Sequence, residues 1–226
     1  MAPPETIPQK EPSTEERILA AARDEFAATG FYGARTQAIA EAAGVNKALL
    51  HYYFRSKENL YVRVIQTTFK GILTRVGQAW LPPGDLEIRS ERVVDAFMDN
   101  YTKHPGFMKI VLREFLDGGQ RFRQAIKTID PEDISGQRLH PLQMIQILSR
   151  DLGLDPESAL HFFVNVVGMC VVSFVSPLFL ETVFGQDLSD FEGFLNRRRR
   201  AVKSMVVSFI RARLAEITSG AGHEVA

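Results

Sequence analysis

The stretch Thr36–Leu60, TQAIAEAAGVNKALLHYYFRSKENL, decides how the N-terminal part of this chain folds. Its residues predict one short helix over 36–43, which Thr36 can cap, and a second over about 46–53. Gly44 turns the chain between them. Two short helices joined by a tight glycine turn form the motif that presents its second helix to the major groove of DNA. The spacing therefore predicts a helix-turn-helix.

Helices are also predicted on both sides of this motif. Upstream, Ser13 and Glu16 form a capping box, and the helix that follows runs until Gly30 stops it. Its apolar face consists of Ile18, Leu19, Ala22 and Phe26. Downstream, Ser56 caps a helix that begins at Lys57 and ends before the loop of Pro82, Pro83 and Gly84.

The charge balance requires any contact with nucleic acid to be local. The chain of 226 residues has 27 basic and 27 acidic residues and a formal net charge of zero, which excludes bulk electrostatic coating of nucleic acid. Between Arg35 and Arg63, however, there are five basic residues and only two acidic ones, Glu41 and Glu58. This excess is modest and lies on the predicted motif.

Polar and aromatic side chains on the motif suit the DNA backbone and base edges. Helix starts offer free backbone N–H groups, and neighbouring hydroxyl and ammonium groups suit phosphate oxygens. The candidate DNA contacts are Arg35, Thr36, Gln37, Asn46, Lys47, Ala48, His51, Tyr52, Tyr53 and Lys57. The alternative is that Tyr52 and Tyr53 are packing aromatics and Lys57 a solvated charge.

The segments TQAIA at 36–40 and AGVNKALLHYYFRSKENL at 43–60 resemble the DNA-binding domain of the tetracycline-repressor-like (TetR) family. The match covers about residues 14–63, and its specific part is the aromatic run that ends in Phe-x-Ser-Lys-Glu-x-Leu. The rest of the chain resembles the family only in its helical character and length.

This resemblance implies roles for individual residues. Asn46, Lys47 and Ala48 would lie at the base-reading end of the third helix, while the DNA backbone would be contacted by Thr36, Tyr52, Tyr53 and Lys57. Ile39, Leu50 and Phe54 would be core. The sequence departs from the commonest family pattern at Ala48, Leu49 and His51. These departures leave the operator sequence and the role of His51 open.

The whole chain is predicted to be all-α. A three-helix helix-turn-helix DNA-binding domain over 13–60 precedes a helical ligand-binding and dimerisation domain over 61–218, and 1–12 and 219–226 are predicted disordered tails. Beyond the proline loop, helices are predicted over 86–103, 106–117, 120–129, 137–152, 156–184 and 189–218. No internal repeat indicates a solenoid.

One segment offers a rival interpretation of the chain. Residues 158–180 contain no Asp, Glu, Lys or Arg, and a membrane span needs about 20 apolar residues. A membrane-associated helical protein with a span near 158–180 is therefore the alternative. Against it stand the polar residues His161 and Asn165, Pro177, and the absence of a second such segment. A helix buried in a dimer explains the composition as well.

The last helix predicts a homodimer. Its apolar residues recur at helical spacing. Together with the preceding apolar helix, it would supply the two helices that each partner contributes to a four-helix dimer interface. The family resemblance implies the same. The run Arg197–Arg200 is interpreted as a mostly solvated face, with a nucleic-acid patch as the alternative, because four successive residues point around most of a helical turn.

Aromatic and Met residues between these helices are predicted to be mostly core. The family resemblance implies an effector pocket in this region, and pockets for apolar ligands combine such residues with a few polar anchors. The candidate ligand contacts are Phe97, Tyr101, His104, Phe107, Phe115, Asn165 and Met169. The expected effector is a small, largely apolar molecule.

No pattern in the sequence favours an enzyme. The five His residues lack metal-ligand spacing, and neither a nucleophile elbow nor a phosphate-binding glycine loop is present, so neither a metal nor a cofactor is expected. Cys170 is the single cysteine, and no secretory leader opens the sequence. We therefore expect a cytoplasmic transcriptional regulator that binds double-stranded operator DNA with an inverted repeat.

Overall fold

The computed structural model describes residues 11–81, 84–129 and 141–220. Within these ranges the protein is all-α, as predicted, with eleven helices. The first six are α1 (Thr14–Gly33), α2 (Thr36–Ala42), α3 (Lys47–Phe54), α4 (Lys57–Trp80), α5 (Leu86–Lys103) and α6 (Pro105–Leu116). The other five are α7 (Gln120–Lys127), α8 (Pro141–Leu152), α9 (Pro156–Val175), α10 (Pro177–Phe184) and α11 (Phe191–Gly220). The described residues exclude most of the two predicted tails (1–10 of 1–12 and 221–226 of 219–226), Pro82–Pro83, and the predicted helical start at 137–140. Ser219 and Gly220, which were predicted to be disordered, belong to α11.

The helix starts of the DNA-binding motif are largely those that the sequence predicts. The capping box of Ser13 and Glu16 is present, and the Ser56 hydroxyl accepts a hydrogen bond from the Asn59 amide. The predicted cap at Thr36 is wrong: Arg35 occupies the N-cap without a side-chain bond, and Thr36 is the first helical residue. Gly44 has a φ of 65°, the left-handed conformation that the turn between α2 and α3 requires.

The helix stop predicted at Gly30 is confirmed, because its φ of 74° and ψ of 177° are not helical and interrupt α1 before a last turn that ends at Gly33. One predicted helix end is wrong. The predicted helix over 156–184 is broken at Ser176, and Pro177 starts α10. Proline lacks an amide hydrogen and disfavours the helical conformation of the residue before it, so the apolar composition could not keep one helix continuous.

Buried side chains form two clusters, one around each end of α4. The N-terminal cluster unites α1, α2 and α3 with the first turns of α4 as far as Ile65, and it also takes in Ile110 of α6 and Ala125 of α7. The C-terminal cluster contains Ile72–Trp80 of α4 together with α5, α6, α8, α9 and α11. The domain boundary predicted after residue 60 lies within the first cluster, because α4 passes through both.

Two of the four arginines in the run Arg197–Arg200 are tied to the fold, so the predicted solvated face holds only for Arg197 and Arg200, which are exposed. The Arg198 guanidinium donates to the carbonyl of Met169 at 3.0 Å, and Arg199 donates to Asp95 at 2.9 Å. These two bonds fasten α11 to α9 and α5.

A close contact between α1 and α6 joins the DNA-binding motif to the rest of the protein. A Cβ atom built on Gly106 would lie 2.7 Å from the Cβ of Ala27, so only glycine allows this approach. Two turns further along α6, the Arg113 guanidinium donates to the carbonyls of Phe26 and Ala27, at 3.3 and 2.9 Å, where the Gly30 kink frees them. The contact therefore combines close packing with capping of α1.

A buried carboxylate holds α7 against the same joint. Glu114 is fully buried and accepts the backbone amides of Arg121 and Phe122, at 2.8 and 3.3 Å. The Arg121 guanidinium lies 3.4 Å from Glu114 and covers the ring of Phe31 at 3.9 Å. A buried charge is tolerated only when it is paired and hydrogen-bonded, so this cluster fixes α6, α7 and the end of α1 together.

The α1–α6 contact predicts opposite effects for two glycine-to-alanine substitutions. Gly106→Ala should lower the free energy of unfolding by about 1–3 kcal/mol, because the new methyl overlaps Ala27. Gly71→Ala is the matched control inside α4, where a Cβ meets nothing within 4 Å, and helix propensity should raise stability by up to about 1 kcal/mol. Urea denaturation of both variants measures these changes. Equal effects of the same sign would contradict the close contact.

Candidate DNA-binding surface and effector region

The third helix separates a buried side from an exposed side. Leu50 and Phe54 pack into the N-terminal cluster, whereas Lys47, Ala48, His51, Tyr52 and Tyr53 lie on the surface. This division follows from the four-residue spacing of Leu50 and Phe54, which places them about one turn apart on the same face of α3. The exposed side is free to approach another molecule.

A concave surface of about 450 Å³ lies where the start of α2, the length of α3 and the start of α4 meet. Six of the ten predicted DNA contacts line it: Arg35, Thr36, Gln37, Lys47, His51 and Lys57. The other four, Asn46, Ala48, Tyr52 and Tyr53, are exposed next to it on α3 and its cap. The fold thus brings residues from three helix ends to one surface, which we call the α2–α4 concavity.

Arg55 belongs to this concavity and was not among the candidate contacts. It lines the surface and lies over the ring of Tyr52 at 5.6 Å. Its φ of 63° is the one positive value among the described non-glycine residues. Such a conformation costs energy in a residue with a side chain and often marks a functional turn. The basic excess between Arg35 and Arg63 was the available signal for it.

Two of the candidate contacts have bonds within the protein. The Lys57 ammonium donates to the backbone carbonyl of Tyr32 at 3.1 Å and lies 5.1 Å from the ring of Phe31. Asn46 is the N-cap of α3, where its Oδ1 accepts from the Leu49 amide at 2.7 Å. An ammonium group has three donors, and an amide has a separate NH₂ group, so each side chain keeps donors for a DNA ligand.

Four of the seven predicted ligand contacts lie in the C-terminal cluster. Phe97 and Tyr101 are buried with ring centroids 6.4 Å apart, and Phe163 and Phe174 extend this aromatic group at 6.2 and 5.5 Å. Phe107 is buried in the same cluster, and Met169 packs against it. Burial raises the pKa of the Tyr101 hydroxyl well above its usual range. The phenol is therefore neutral in the core.

The other three predicted ligand contacts lie elsewhere. Phe115 is 55% exposed and packs against Phe122 at 5.1 Å. Asn165 is exposed on the outer face of α9, and His104 lies at the α5–α6 junction. These three do not join Phe97 and Tyr101 in one pocket. Helical spacing places residues on a face of their own helix, but it does not say which neighbour that face meets.

A small cavity in the C-terminal cluster, with an almost wholly apolar lining, was not predicted from the sequence. It holds about 20 Å³ and is lined by Trp80, Ser90, Val93, Leu148, Phe162, Phe163, Val166 and Val206. Within the described part of the chain, the Trp80 Nε1 and the Ser90 Oγ are buried without a hydrogen-bond partner. Unpaired buried polar atoms are uncommon and costly, and two of them belong to residues that border this cavity, which has room for about one water.

An open groove of about 1030 Å³ runs between α9 and α11. Its walls include apolar side chains that are largely exposed, namely Val164, Val172, Met205 and Phe209. Leu160 on α9 and four residues of α10, Leu178, Phe179, Val183 and Phe184, extend the exposed apolar area. Large exposed apolar patches commonly mark interaction surfaces.

Catalytic and metal chemistry have no candidate in the residues that the structure describes. No group of three His, Cys, Asp or Glu side chains among them is arranged to hold a metal ion. Burial raises the pKa of the Cys170 thiol to about 12, so the group is protonated and unreactive at neutral pH.

Comparison with known proteins identifies the family. Residues 18–64 match the model of the bacterial regulatory proteins of the tetR family. The HTH-type transcriptional repressor NicS of Pseudomonas putida is 27% identical over 80% of this chain and 85% of its own length. The HTH-type transcriptional activator FasR of Mycolicibacterium smegmatis is 29% identical over 72% of each chain.

A solved structure agrees with these sequence matches. The putative transcriptional regulator SCO4942 of Streptomyces coelicolor superposes with a TM-score of 0.60 at 24% identity, over 87% of this chain and 98% of that one. The likeness supports the fold of the C-terminal helices as well as that of the motif. Residues 18–64 therefore form a TetR-family helix-turn-helix, and the chain is a DNA-binding transcriptional regulator similar to members of that family.

Proposed function

We propose that this protein is a cytoplasmic repressor that binds an inverted-repeat operator as a homodimer and leaves it when a small, largely apolar ligand binds. The observation that carries the proposal is the cavity at Trp80 and Ser90, because its unpaired polar atoms lie in an otherwise apolar core. NicS, which aligns over most of its length, is named a repressor and supports repression here.

The position of the cavity offers a route from ligand to DNA. Trp80 ends α4 and Lys57 begins it, so one helix of 24 residues connects the cavity to the α2–α4 concavity. Such a helix is about 36 Å long. A ligand that expands the cavity displaces the Trp80 end, and the helix carries this movement to the DNA-binding motif. The aromatic residues Phe97 and Tyr101 lie in the same cluster and are proposed to border the enlarged pocket.

The groove between α9 and α11 supports the homodimer. Its exposed apolar residues are of the type that a second copy buries in a four-helix interface. Two reading helices are needed to hold two half-sites about 34 Å apart. Dimerisation through this groove therefore supplies the symmetry that an inverted repeat requires.

The membrane alternative is weaker. Among the described residues, α9 is the one helix long and apolar enough to cross a bilayer. Its inner face contributes Ala159, Val166 and Cys170 to the C-terminal cluster, and Ser173 is buried on the same side. The apolar stretch of 158–180 is also interrupted at Pro177. A helix with one side in the protein core and the other in a dimer interface accounts for this composition.

The α2–α4 concavity predicts different roles for two lysines. Lys47→Ala, at the start of α3, should weaken binding to the best operator by about 1–3 kcal/mol and relax base preference. Lys57→Ala should weaken binding to all sequences alike and reduce the salt slope by about one unit. Titrations of operator and scrambled DNA at several salt concentrations measure both. Thermal melting serves as the control, because Lys57 also bonds Tyr32; equal behaviour of the two variants would contradict the assignment.

The dimer is tested at exposed positions in the groove. Val164 and Met205 are 53% and 58% exposed, so replacing both with Glu should leave the fold intact and give monomers that bind the operator poorly. Val206 is unsuitable because it is only 2% exposed and belongs to the chain's own core. Leu116→Glu, at an 87% exposed position outside the groove, is the control. A dimer of the double variant in sedimentation analysis would place the interface elsewhere.

Ligand release is tested through linkage. An effector that lowers operator affinity by some factor must itself bind the operator complex more weakly by the same factor. Candidate apolar molecules carrying one hydrogen-bond acceptor are titrated against free and DNA-bound protein. Trp80→Phe, which removes the Nε1 donor and keeps an aromatic ring, should weaken ligand binding about tenfold. Equal affinity for free and DNA-bound protein would rule out the switch.

A further inference from the structure

A polar cavity separate from the Trp80 cavity lies where the DNA-binding motif meets the rest of the protein. It holds about 340 Å³ between α1, α4 and the end of α5. Its lining combines Glu16, Leu19 and Arg23 of α1 with Val64, Thr67, Thr68, Gly71 and Arg75 of α4, and with Asn100 and His104. We call it the junction cavity.

Hydrogen-bond donors dominate the junction cavity. Arg23 donates to the His104 Nδ1 at 2.8 Å, and Arg75 donates to the Asn100 Oδ1 at 2.6 Å. These bonds use the two acceptors that the imidazole and the amide offer. Neither guanidinium has a carboxylate within ion-pairing distance among residues 11–81, 84–129 and 141–220. Glu16, at the rim, is the acidic residue of the lining, and its carboxylate accepts from the Ser13 amide.

The amide of Asn100 provides a second and independent indication of a ligand. Asn100 is 1% exposed and lines the cavity, and its Nδ2 is buried without a hydrogen-bond partner in the described part of the protein. A buried NH₂ group without a partner costs about 1–3 kcal/mol. An acceptor that reaches the cavity wall at Asn100 would satisfy it.

We propose that the junction cavity binds a small oxyanion, a carboxylate or a phosphate, through Arg23, Arg75 and the Asn100 amide. Guanidinium groups and amide N–H groups match the planar or tetrahedral oxygens of such anions. The anion pairs with two guanidinium groups that lack a carboxylate partner, and it accepts from the unpartnered Nδ2. This site is distinct from the apolar effector site of the proposed function and does not depend on it.

The location gives such an anion a structural effect. Arg23 lies on α1, which packs against α2, whereas Arg75 and Asn100 belong to α4 and α5 of the C-terminal cluster. An anion held by all three ties the DNA-binding motif to the regulatory helices. Its binding should therefore stabilise the arrangement of the two clusters seen in this structure.

Protonation of His104 should be coupled to the anion. Burial, followed by the nearby charges of Arg23, Arg75 and Lys103, lowers the pKa of His104, while Asp24 opposes this shift. The neutral ring is thus preferred when no anion is bound. Its contribution to the free energy of unfolding is fully present above the usual histidine pKa and is lost as the pH falls below that value. A bound anion favours the charged ring, so anion affinity should rise as the pH falls.

Isothermal titration calorimetry with sulfate on the full chain tests the site. Ionic strength is held constant with chloride, and sulfate is used because its charge does not change between about pH 5.5 and 8. We expect one sulfate per chain to bind at the junction cavity, and Arg23→Gln or Arg75→Gln to weaken it at least about tenfold. Arg63→Gln is the matched control on α4, since Arg63 lies outside the cavity.

Two further variants separate the possible outcomes. Lys57→Ala removes an ammonium group that lines the α2–α4 concavity, outside the junction cavity, and should leave the junction sulfate unchanged. His104→Gln should abolish the tightening at low pH. Equal affinity in wild type, Arg75→Gln and Arg63→Gln would overturn the proposal, as would a sulfate lost with Lys57→Ala. Apolar effector binding is measured separately, so failure of one site does not imply failure of the other.

Parallel titrations with phosphate and with malonate distinguish the sources of the anion. Tighter binding of malonate, with the same loss in Arg75→Gln, assigns the site to organic acids, and tighter binding of phosphate assigns it to phosphate or its esters. Absence of a junction-specific response to all three anions would overturn the proposal.

Discussion

The packing of α1 against α6 is the constraint on which the rest of this structure depends. Gly106 lets the two helices approach until a methyl group would overlap Ala27, and Arg113 caps the α1 carbonyls that the Gly30 kink leaves free. The buried Glu114 then fastens α7 to the same place through Arg121. Because α1 packs against α2 and α4, which in turn hold α3 in the same cluster, these contacts help to set the position of α3 relative to the C-terminal cluster.

Two connections therefore lead from the regulatory helices to the DNA-binding surface. One is α4, which begins at Lys57 and ends at Trp80 beside the small cavity. The other is α6, which reaches α1 directly. Rigid helices that share two anchors move together, so in the proposed dimer a displacement at either anchor would change the separation of the two α3 helices. A ligand shifts this equilibrium only by its difference in affinity for the two arrangements.

Local sequence signals predicted the DNA-binding motif well and the regulatory helices only in outline. The capping box at Ser13 and the Ser56 cap follow from short-range hydrogen bonding, and the structure confirms both. The proposed ligand contacts Phe115 and Asn165 came from aromatic clustering and polarity, and the fold places them away from Phe97. Spacing along a helix fixes which residues share a face, whereas the neighbour of that face depends on the packing of distant segments.

The sequence by itself determined the all-α class, the helix-turn-helix and the family, because caps, glycine turns and helical periodicity act over a few residues. The tertiary structure alone decided which polar atoms are left without partners. Trp80 meets Ser90 at one cavity, and Asn100 meets Arg75 and lies near Arg23 at another, from three different helices. Burial and hydrogen bonding between residues far apart in the chain depend on how the helices pack, and no local pattern encodes them.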